Sequence, residues 1–351
     1  MCAADIQKPD SSSMPPPPLT YLSLLRSSKP FTYYIISYLT TQCGSWLNYI
    51  ATLTLITDFY SSSSSEGDTT KSNPYLPLST LIVLRMLPSS IISPLFGGPL
   101  ADAYDKRLNM IYLDVLSSLC VLFLFPLAAS LRSPALLYSS VFLLSSLEAL
   151  YSPSKNSILP FMLNSDDEVN KATSLLAISW SLMSAVGAAT GGAITKGGGT
   201  YTCFVVDGVT FAVSAVLMWM VGDGWKVARE NNAQNPERPP VKAEEKEEPG
   251  CMEAMSGGVR YLSSSSGSRL QPLVFLKSAG CILWGSSDVL NVVFAAGDEF
   301  DLGCIFAAVG VGCLVGPQAA ERFIKGRAPG EPDPRLMVWA CGLSVLLVSV
   351  R

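Results

Sequence analysis

The stretch Phe31–Ile56, FTYYIISYLTTQCGSWLNYIATLTLI, runs for 26 residues without one charged side chain. A bilayer core about 30 Å thick takes roughly 20 helical residues to cross. Backbone groups without hydrogen bonds are too costly in lipid for anything but helices or closed barrels. The stretch therefore predicts a transmembrane helix, and it indicates that the function of the chain involves the membrane.

Further apolar stretches follow along the 351 residues, of which 49% are hydrophobic and 15% charged, with a mean hydropathy of +0.35. A soluble protein with buried helices is disfavoured, because such helices seldom run beyond ~14 residues without charge. We expect an all-α membrane protein with about nine transmembrane helices. The predicted spans are 31–56, 75–100, 108–131, 134–152, 172–195, 200–222, 270–297, 302–320 and 336–350.

The basic residues predict the orientation of these spans. If the N-terminus is cytosolic, eighteen Lys and Arg residues fall in cytosolic segments, and only Lys71, Arg132 and Lys196 fall in outer loops. Lys and Arg resist translocation, so we expect a cytosolic N-terminus. The start of the chain is polar and rich in proline, so we expect no cleavable signal peptide and a first span that serves as the targeting signal.

A polar segment between the sixth and seventh spans divides the chain. Its run 231–248 is dense in mixed charge and proline and has almost no large apolar residue, so it cannot bury a core. The predicted organisation is a cytosolic tail, a first six-helix bundle, a cytosolic linker and a partial second bundle, at residues 1–30, 31–222, 223–269 and 270–351.

Residue types exclude several kinds of chemistry. The chain has no histidine, which removes imidazole from any metal site, proton relay or activated nucleophile. Seven of its nine cysteines fall inside apolar spans and two in cytosolic segments, so a disulfide framework is not expected. We see no nucleophile set or phosphate-cradling loop, so we expect no enzyme, no cofactor, no metal site and no nucleic-acid partner.

The loop between the second and third spans carries a spaced set of residues. Gly98 is followed by Asp102 four positions later and by the basic pair Lys106 and Arg107. A glycine allows close helix approach, a carboxylate can face a helix N-terminus, and the two cations can complete a breakable latch. The spacing predicts a cytosolic gate, although an ordinary positive-inside loop remains the alternative.

This spacing resembles the cytosolic loop signature of the major facilitator superfamily of transporters. Arg85, Asp114, the Ser152-Pro153-Ser154 turn that closes the fourth span, the segment 204–207 and the segment 258–262 resemble the branch of enterobactin-type exporters. The resemblance covers residues 31 to about 320. It implies two six-helix bundles with a substrate site between them near the midplane.

The resemblance also implies a function. It predicts a secondary transporter, most simply a proton-coupled exporter of a small organic solute in the plasma membrane. The antiporter signature of the fifth span is matched by Gly187, Gly191 and Gly192 without its proline, and the fourth span lacks the arginine of drug-proton antiporters. The second bundle is short by about three helices, so we expect a fragment, with a non-transporting scaffold or relic of the fold as the alternative.

Ionisable residues inside spans are the best site candidates, because each costs about 3 kcal/mol at mid-depth unless it is paired or faces water. Arg85 lies near the midplane and is the first candidate to bind an anionic group or couple to a carboxylate. Asn48, Asp207 and Asp288 complete the substrate and coupling set. Asp114 and Glu148 lie nearer the cytosolic face and are assigned to the gate.

Overall fold

The computed structural model describes residues 20–63, 75–223, 260, 263–264, 271–295 and 298–325. Within them the regular structure is helical and no β-strand occurs, so the predicted all-α fold is confirmed. The α-helices with both ends in these ranges are α1 (Tyr21–Ser27), α2 (Lys29–Ser63), α3 (Tyr75–Ile92), α4 (Gly98–Ala103), α5 (Lys106–Leu119), α6 (Phe125–Ser130), α7 (Pro134–Met162), α8 (Asp166–Met220), α9 (Gln271–Phe294) and α10 (Glu299–Lys325).

The uncharged stretch that begins at Phe31 forms most of α2. Threonine hydroxyl groups inside this apolar helix donate hydrogen bonds to carbonyl oxygens of the same helix. Thr54 donates to the carbonyl oxygen of Ile50 at 3.1 Å, and Thr57 donates to that of Leu53 at 2.7 Å. Polar side chains are therefore satisfied without water, as a helix in lipid requires.

Two π-helical turns join shorter helices into longer rods. Ser93–Gly97 connects α3 to α4, and Cys120–Leu124 connects α5 to α6. A proline stands in the first turn of each following helix, Pro99 in α4 and Pro126 in α6. Proline has no N–H to give to the regular helical ladder, and a π-turn accommodates that missing bond.

Helix α7 corrects one prediction. The turn expected at Ser152-Pro153-Ser154 is wrong, because α7 continues through it to Met162 and keeps Pro153 and Pro160 inside the helix. The φ angle that proline fixes is compatible with a helix, so the ring removes one hydrogen bond without ending the helix.

Helix α8 has 55 residues, which at 1.5 Å per residue is about 80 Å and far more than one crossing needs. It breaks at Gly199, whose φ of 78° and ψ of 166° suit glycine. The two halves fold back on each other, since the thiol of Cys203 lies 3.8 Å from the carbonyl oxygen of Gly191. The break coincides with the gap between the predicted spans 172–195 and 200–222.

Two apolar clusters fill the interior at opposite ends of the helices. One contains Ile50, Phe204 and Phe306, and we call its end the Lys196 end. The other contains Phe31 and Met110 and lies at the Lys106 end. Polar side chains of α2, α5 and α8 lie between the two clusters, so the interior is apolar at both ends and polar at mid-length.

Four described helices are long and apolar enough to cross a membrane. They are Lys106–Ser130, Pro134–Met162, Asp167–Met220 and Glu299–Gly316, and Leu76–Ile92 is a shorter apolar helix. The predicted span 336–350 lies outside the described residues, and so does most of the predicted linker. The number of nine spans and the domain boundaries therefore stay predictions.

Candidate functional site

A cavity of about 170 Å³ lies at mid-length between α2, α3, α7, α8 and α9. Helices from both sides of the linker line it, since α9 follows the linker and the other four precede it. At about 1.5 Å per residue, Arg85 lies roughly 15 Å from the start of α3. The lining residues that bear charge or an aromatic ring are Trp46, Tyr49, Arg85, Glu148, Trp180, Trp284 and Asp288.

Arg85, Tyr49 and Asp288 form a chain of contacts across this cavity. The Arg85 guanidinium carbon lies 4.5 Å from the centre of the Tyr49 ring, and the Tyr49 hydroxyl donates to Asp288 Oδ2 at 2.7 Å. Arg85 also interacts electrostatically with Asp288. The cation of α3 thus lies over the ring, and the carboxylate of α9 binds the hydroxyl, of one tyrosine of α2.

Asn48 and Asp207 meet away from the cavity, inside the N-terminal helices. The Asn48 amide donates to Asp207 Oδ2 at 2.8 Å, and Thr52 donates to Asn48 Oδ1 at 3.0 Å. Gly44 lets α2 approach this carboxylate, because a Cβ there would lie 2.5 Å from Asp207 Oδ1 and would overlap Thr210. Both residues are buried, and neither lines the described cavity.

Asp114 and Glu148, which the sequence assigns to the gate, lie in different places. Asp114 is buried and accepts a hydrogen bond of 2.7 Å from Ser214, which lies 2.6 Å from the hydroxyl of Ser37. Glu148 lines the cavity beside Trp180. The structure does not bring these two carboxylates together, and their role in a gate stays a prediction.

The loop between α4 and α5 holds the predicted latch cations. Lys106 donates to the carbonyl oxygen of Ala101 at 2.9 Å, and Arg107 reaches the carbonyl oxygen of Trp219 at 3.4 Å. Asp105 caps α5 by accepting from the backbone of Arg107 at 3.0 Å. These cations therefore bind carbonyl groups of the N-terminal helices, Arg107 at the C-terminal end of α8.

The glycine and the carboxylate of that motif, Gly98 and Asp102, both belong to α4. No described atom lies within 4 Å of a Cβ built at Gly98, so the expected close helix approach is not made to any residue that the structure describes. Gly97 makes the approach instead, because its Cβ would lie 2.7 Å from Pro153 of α7. The side chain of Asp102 lies outside the described residues, so its part in the gate stays a prediction.

The predicted fifth-span glycines are packing positions on α8. A Cβ at Gly187 would lie 2.7 Å from Trp46, and one at Gly191 would lie 3.2 Å from Leu47, so both face α2. A Cβ at Gly192 would lie 2.5 Å from the carbonyl oxygen of Glu299 and 3.0 Å from the Cα of Gly303. Gly192 thus lets α8 touch α10 backbone to backbone.

An ion pair reinforces this contact at the Lys196 end. Lys196 Nζ lies 2.6 Å from Asp298 Oδ2, across the same junction between the N-terminal helices and the start of α10. The hydrogen bond from Lys196 lowers the pKa of Asp298, and the same bond raises the pKa of Lys196. Both groups are exposed, which limits how strongly the pair holds the junction.

Sequence reasoning missed Tyr49, Gly303 and Asp298. Tyr49 directly follows Asn48, yet an apolar helix gives no sign of which ring will stack on a cation. Gly303 and Gly310 recur seven residues apart, a small-residue stripe that could have indicated a packing face. Nothing in the sequence pairs Asp298 with Lys196, because their loops are about a hundred residues apart.

Two comparisons with known proteins bear on this site. The family model described as Major Facilitator Superfamily matches residues 21–350, which is nearly the whole chain. A search of curated proteins gave no match.

Proposed function

Because the chain belongs to the major facilitator superfamily, whose members are transporters rather than enzymes, we propose that it exports a small organic solute by proton-coupled alternating access. The chain is an integral membrane protein, and the secondary-transporter class follows from the family. The solute, the direction, the coupling ion and the plasma membrane as its location are our proposal.

The observation that carries the proposal is the charged cavity between helices on the two sides of the linker. A cation and two carboxylates line it, and charges at mid-length in a membrane are retained mainly where they pair or face water. Arg85 precedes the linker in the chain and Asp288 follows it. A change in their interaction therefore alters how strongly the helices before the linker bind those after it.

Asp288 is the proposed proton acceptor. As a carboxylate it accepts the hydrogen bond from Tyr49 and is attracted to Arg85. Protonation removes its charge and so weakens this attraction across the cavity. A proton would therefore favour separation of α9 from α2 and α3, which is the movement that alternating access needs.

The contact at the Lys196 end supports one state of that cycle. With a cytosolic N-terminus, Lys196 and Asp298 would lie at the outer face, where the close contact of Gly192 with Gly303 joins the two sides of the linker. We propose that the structure is the outward-closed state of the transporter.

The coupling proposal is tested with the full chain in proteoliposomes, by measuring solute flux with and without a proton gradient. We expect Asp288→Asn to lose the dependence on the gradient, because the amide cannot take up a proton. Asp167→Asn, an exposed carboxylate at the start of α8, is the matched control and should behave as the unmodified protein. Gradient-dependent flux that persists in Asp288→Asn would show that another group couples protons.

Arg85→Lys separates two roles of the cavity cation. Lysine keeps the charge but loses the planar group that stacks on Tyr49 and can bind a carboxylate through two hydrogen bonds. We expect the variant to insert and remain stable yet to transport poorly, because the contact of Arg85 with Tyr49 and its attraction to Asp288 are weakened. Normal transport by Arg85→Lys, together with failure of Arg85→Ala to accumulate, would make Arg85 a structural ion-pair partner.

Orientation is tested with single cysteines in a cysteine-free background at positions 63, 106, 196 and 245. The distribution of basic residues predicts labelling by an impermeant maleimide from outside only at 63 and 196. Labelling of position 106 from outside would overturn the orientation.

A further inference from the structure

The cavity contains a row of tryptophans that the coupling proposal does not use. Trp46 of α2 and Trp180 of α8 have ring centres 5.9 Å apart, and Trp180 and Trp284 of α9 are also 5.9 Å apart. All three rings line the cavity and are only partly buried. The row therefore extends from the N-terminal helices to α9 and leaves indole surface open to a ligand.

Glu148 is the charged group that stands beside this row. It lines the cavity, is exposed, and forms neither a hydrogen bond nor an ion pair with any residue that the structure describes. Lys155, which interacts with it electrostatically, has its Nζ 4.7 Å from the ring of Tyr38. The Glu148 carboxylate is thus available to a ligand in the cavity.

The charge balance of the lining favours one kind of ligand. Arg85 and Asp288 offset each other across Tyr49, so Glu148 gives the lining a net negative charge. The face of an indole ring attracts cations, and tryptophan does so more strongly than the other aromatic residues. A carboxylate and three indoles converging on one space are suited to a positively charged group and unfavourable for an anion.

We propose that the transported solute is a small organic cation with a quaternary or tertiary ammonium group, held by Glu148 and by the faces of Trp46, Trp180 and Trp284. This assignment rests on the proposed transport function and names its substrate class. The cavity of about 170 Å³ is smaller than the ~300–1,000 Å³ of sites for drug-sized ligands, which favours a compact cation.

Equilibrium binding to the purified full chain tests this assignment without requiring transport. The probe is phenyltrimethylammonium, its neutral counterpart is tert-butylbenzene, and benzoate is the anion. Binding is followed by calorimetry and by quenching of tryptophan fluorescence. We expect phenyltrimethylammonium to bind at least about tenfold more tightly than the other two compounds, from the ionic and cation–π terms together.

Variants locate the binding. Glu148→Gln should lower the affinity for phenyltrimethylammonium by about tenfold. Glu148→Asp should retain most of the affinity because it keeps the charge. Trp180→Leu should also lower this affinity, and Trp180→Phe should lower it less because an aromatic ring face remains. Trp219→Leu is the matched control, since that indole is 69% exposed on the other end of α8 and does not line the cavity.

The outcomes separate the two proposals. Binding of benzoate in preference to the cation, or full affinity in a folded Glu148→Gln, would overturn the substrate class while leaving proton-coupled transport intact. If Glu148→Gln does not fold, a full-affinity Trp180→Leu overturns the assignment in its place. Selective cation binding with no flux in proteoliposomes would support the site and count against the transport function.

Discussion

At the Lys196 end, α8 and α10 meet backbone to backbone through Gly192 and Gly303, and an exposed ion pair adds to the junction. At the Lys106 end, the loop cations Lys106 and Arg107 bind carbonyl groups of their own N-terminal helices. The contacts at the first end join the two sides of the linker, whereas these contacts of Lys106 and Arg107 lie within one side. Thus a contact between two glycines, which no charged motif marks in the sequence, joins the two sides of the linker together with the hydrogen bond from Tyr49 to Asp288.

The largest effect is expected from Gly192→Leu. Even a Cβ at this position would lie 2.5 Å from the carbonyl oxygen of Glu299, and backbone atoms cannot move aside. Overpacking of this kind costs about 1–3 kcal/mol, so the population of the closed state relative to the open state should fall by about 5- to 150-fold. The measurement is the labelling rate of a single cysteine at Ser45, in the cavity, by an impermeant maleimide added on the side of Lys196.

Gly312→Leu is the matched control for that experiment. Gly312 lies on α10 as Gly303 does, but a Cβ there would meet no atom of the described residues within 4 Å. If Gly192→Leu is stable and its cysteine at position 45 is labelled no faster than the same cysteine in Gly312→Leu, the glycine contact does not close the cavity.

A smaller effect is expected from Arg107→Ala. The change removes a hydrogen bond to the Trp219 carbonyl and a cation from the C-terminal end of α8, together worth about 1–2 kcal/mol. Thermal unfolding should therefore begin at a lower temperature, and the last turn of α8 should exchange its amide hydrogens faster. Arg26→Ala, which removes an exposed arginine from the end of α1, is the control.

Arg107→Ala also distinguishes a capping role of Arg107 from a role in the gate. Suppose that the amide hydrogens at the end of α8 exchange faster while the labelling rate of the cavity cysteine does not change. Arg107 would then be a residue that caps α8 and contacts only the helices that precede the linker. Altered accessibility of the cavity from the Lys106 side, with normal exchange at α8, would instead support the predicted gate.

The smallest effect is expected from the exposed pair Lys196 and Asp298. Charge reversal in Lys196→Asp should raise labelling of the cavity cysteine slightly, and the double change with Asp298→Lys should restore the original rate. High salt should have the same small effect as the reversal, because exposed charges are screened. A double variant that behaves like Lys196→Asp alone would show that the pair contributes nothing to closure.

The pH dependence of this pair follows from the two pKa shifts. The lowered pKa of Asp298 means that its contribution is present above the ordinary value of 3.8 and is lost as the pH falls through the lowered value. The raised pKa of Lys196 means that its contribution is present below 10.5 and is lost as the pH rises through the raised value. Between about pH 5 and 9 the labelling rate should therefore show no change that depends on this pair.

Residue type and position alone determined much about this protein. The 26 uncharged residues from Phe31 predict a helix, because a helix satisfies its own backbone hydrogen bonds in lipid, and α2 is a helix over this stretch. The loop spacing from Gly98 to Arg107 predicts the family, which the match over residues 21–350 shows. Hydropathy and a local motif carry this information because each depends on residues close together in the chain.

Which polar groups meet depends on how the helices pack against one another. Arg85 could pair with several carboxylates on sequence grounds, but the packing of α2, α3 and α9 places it over Tyr49 and next to Asp288. The same packing puts Asp114 against Ser214 and leaves Glu148 facing the cavity. The physical reason is that the rotation of each helix about its axis sets these contacts, and helices with apolar residues on every face encode that rotation weakly.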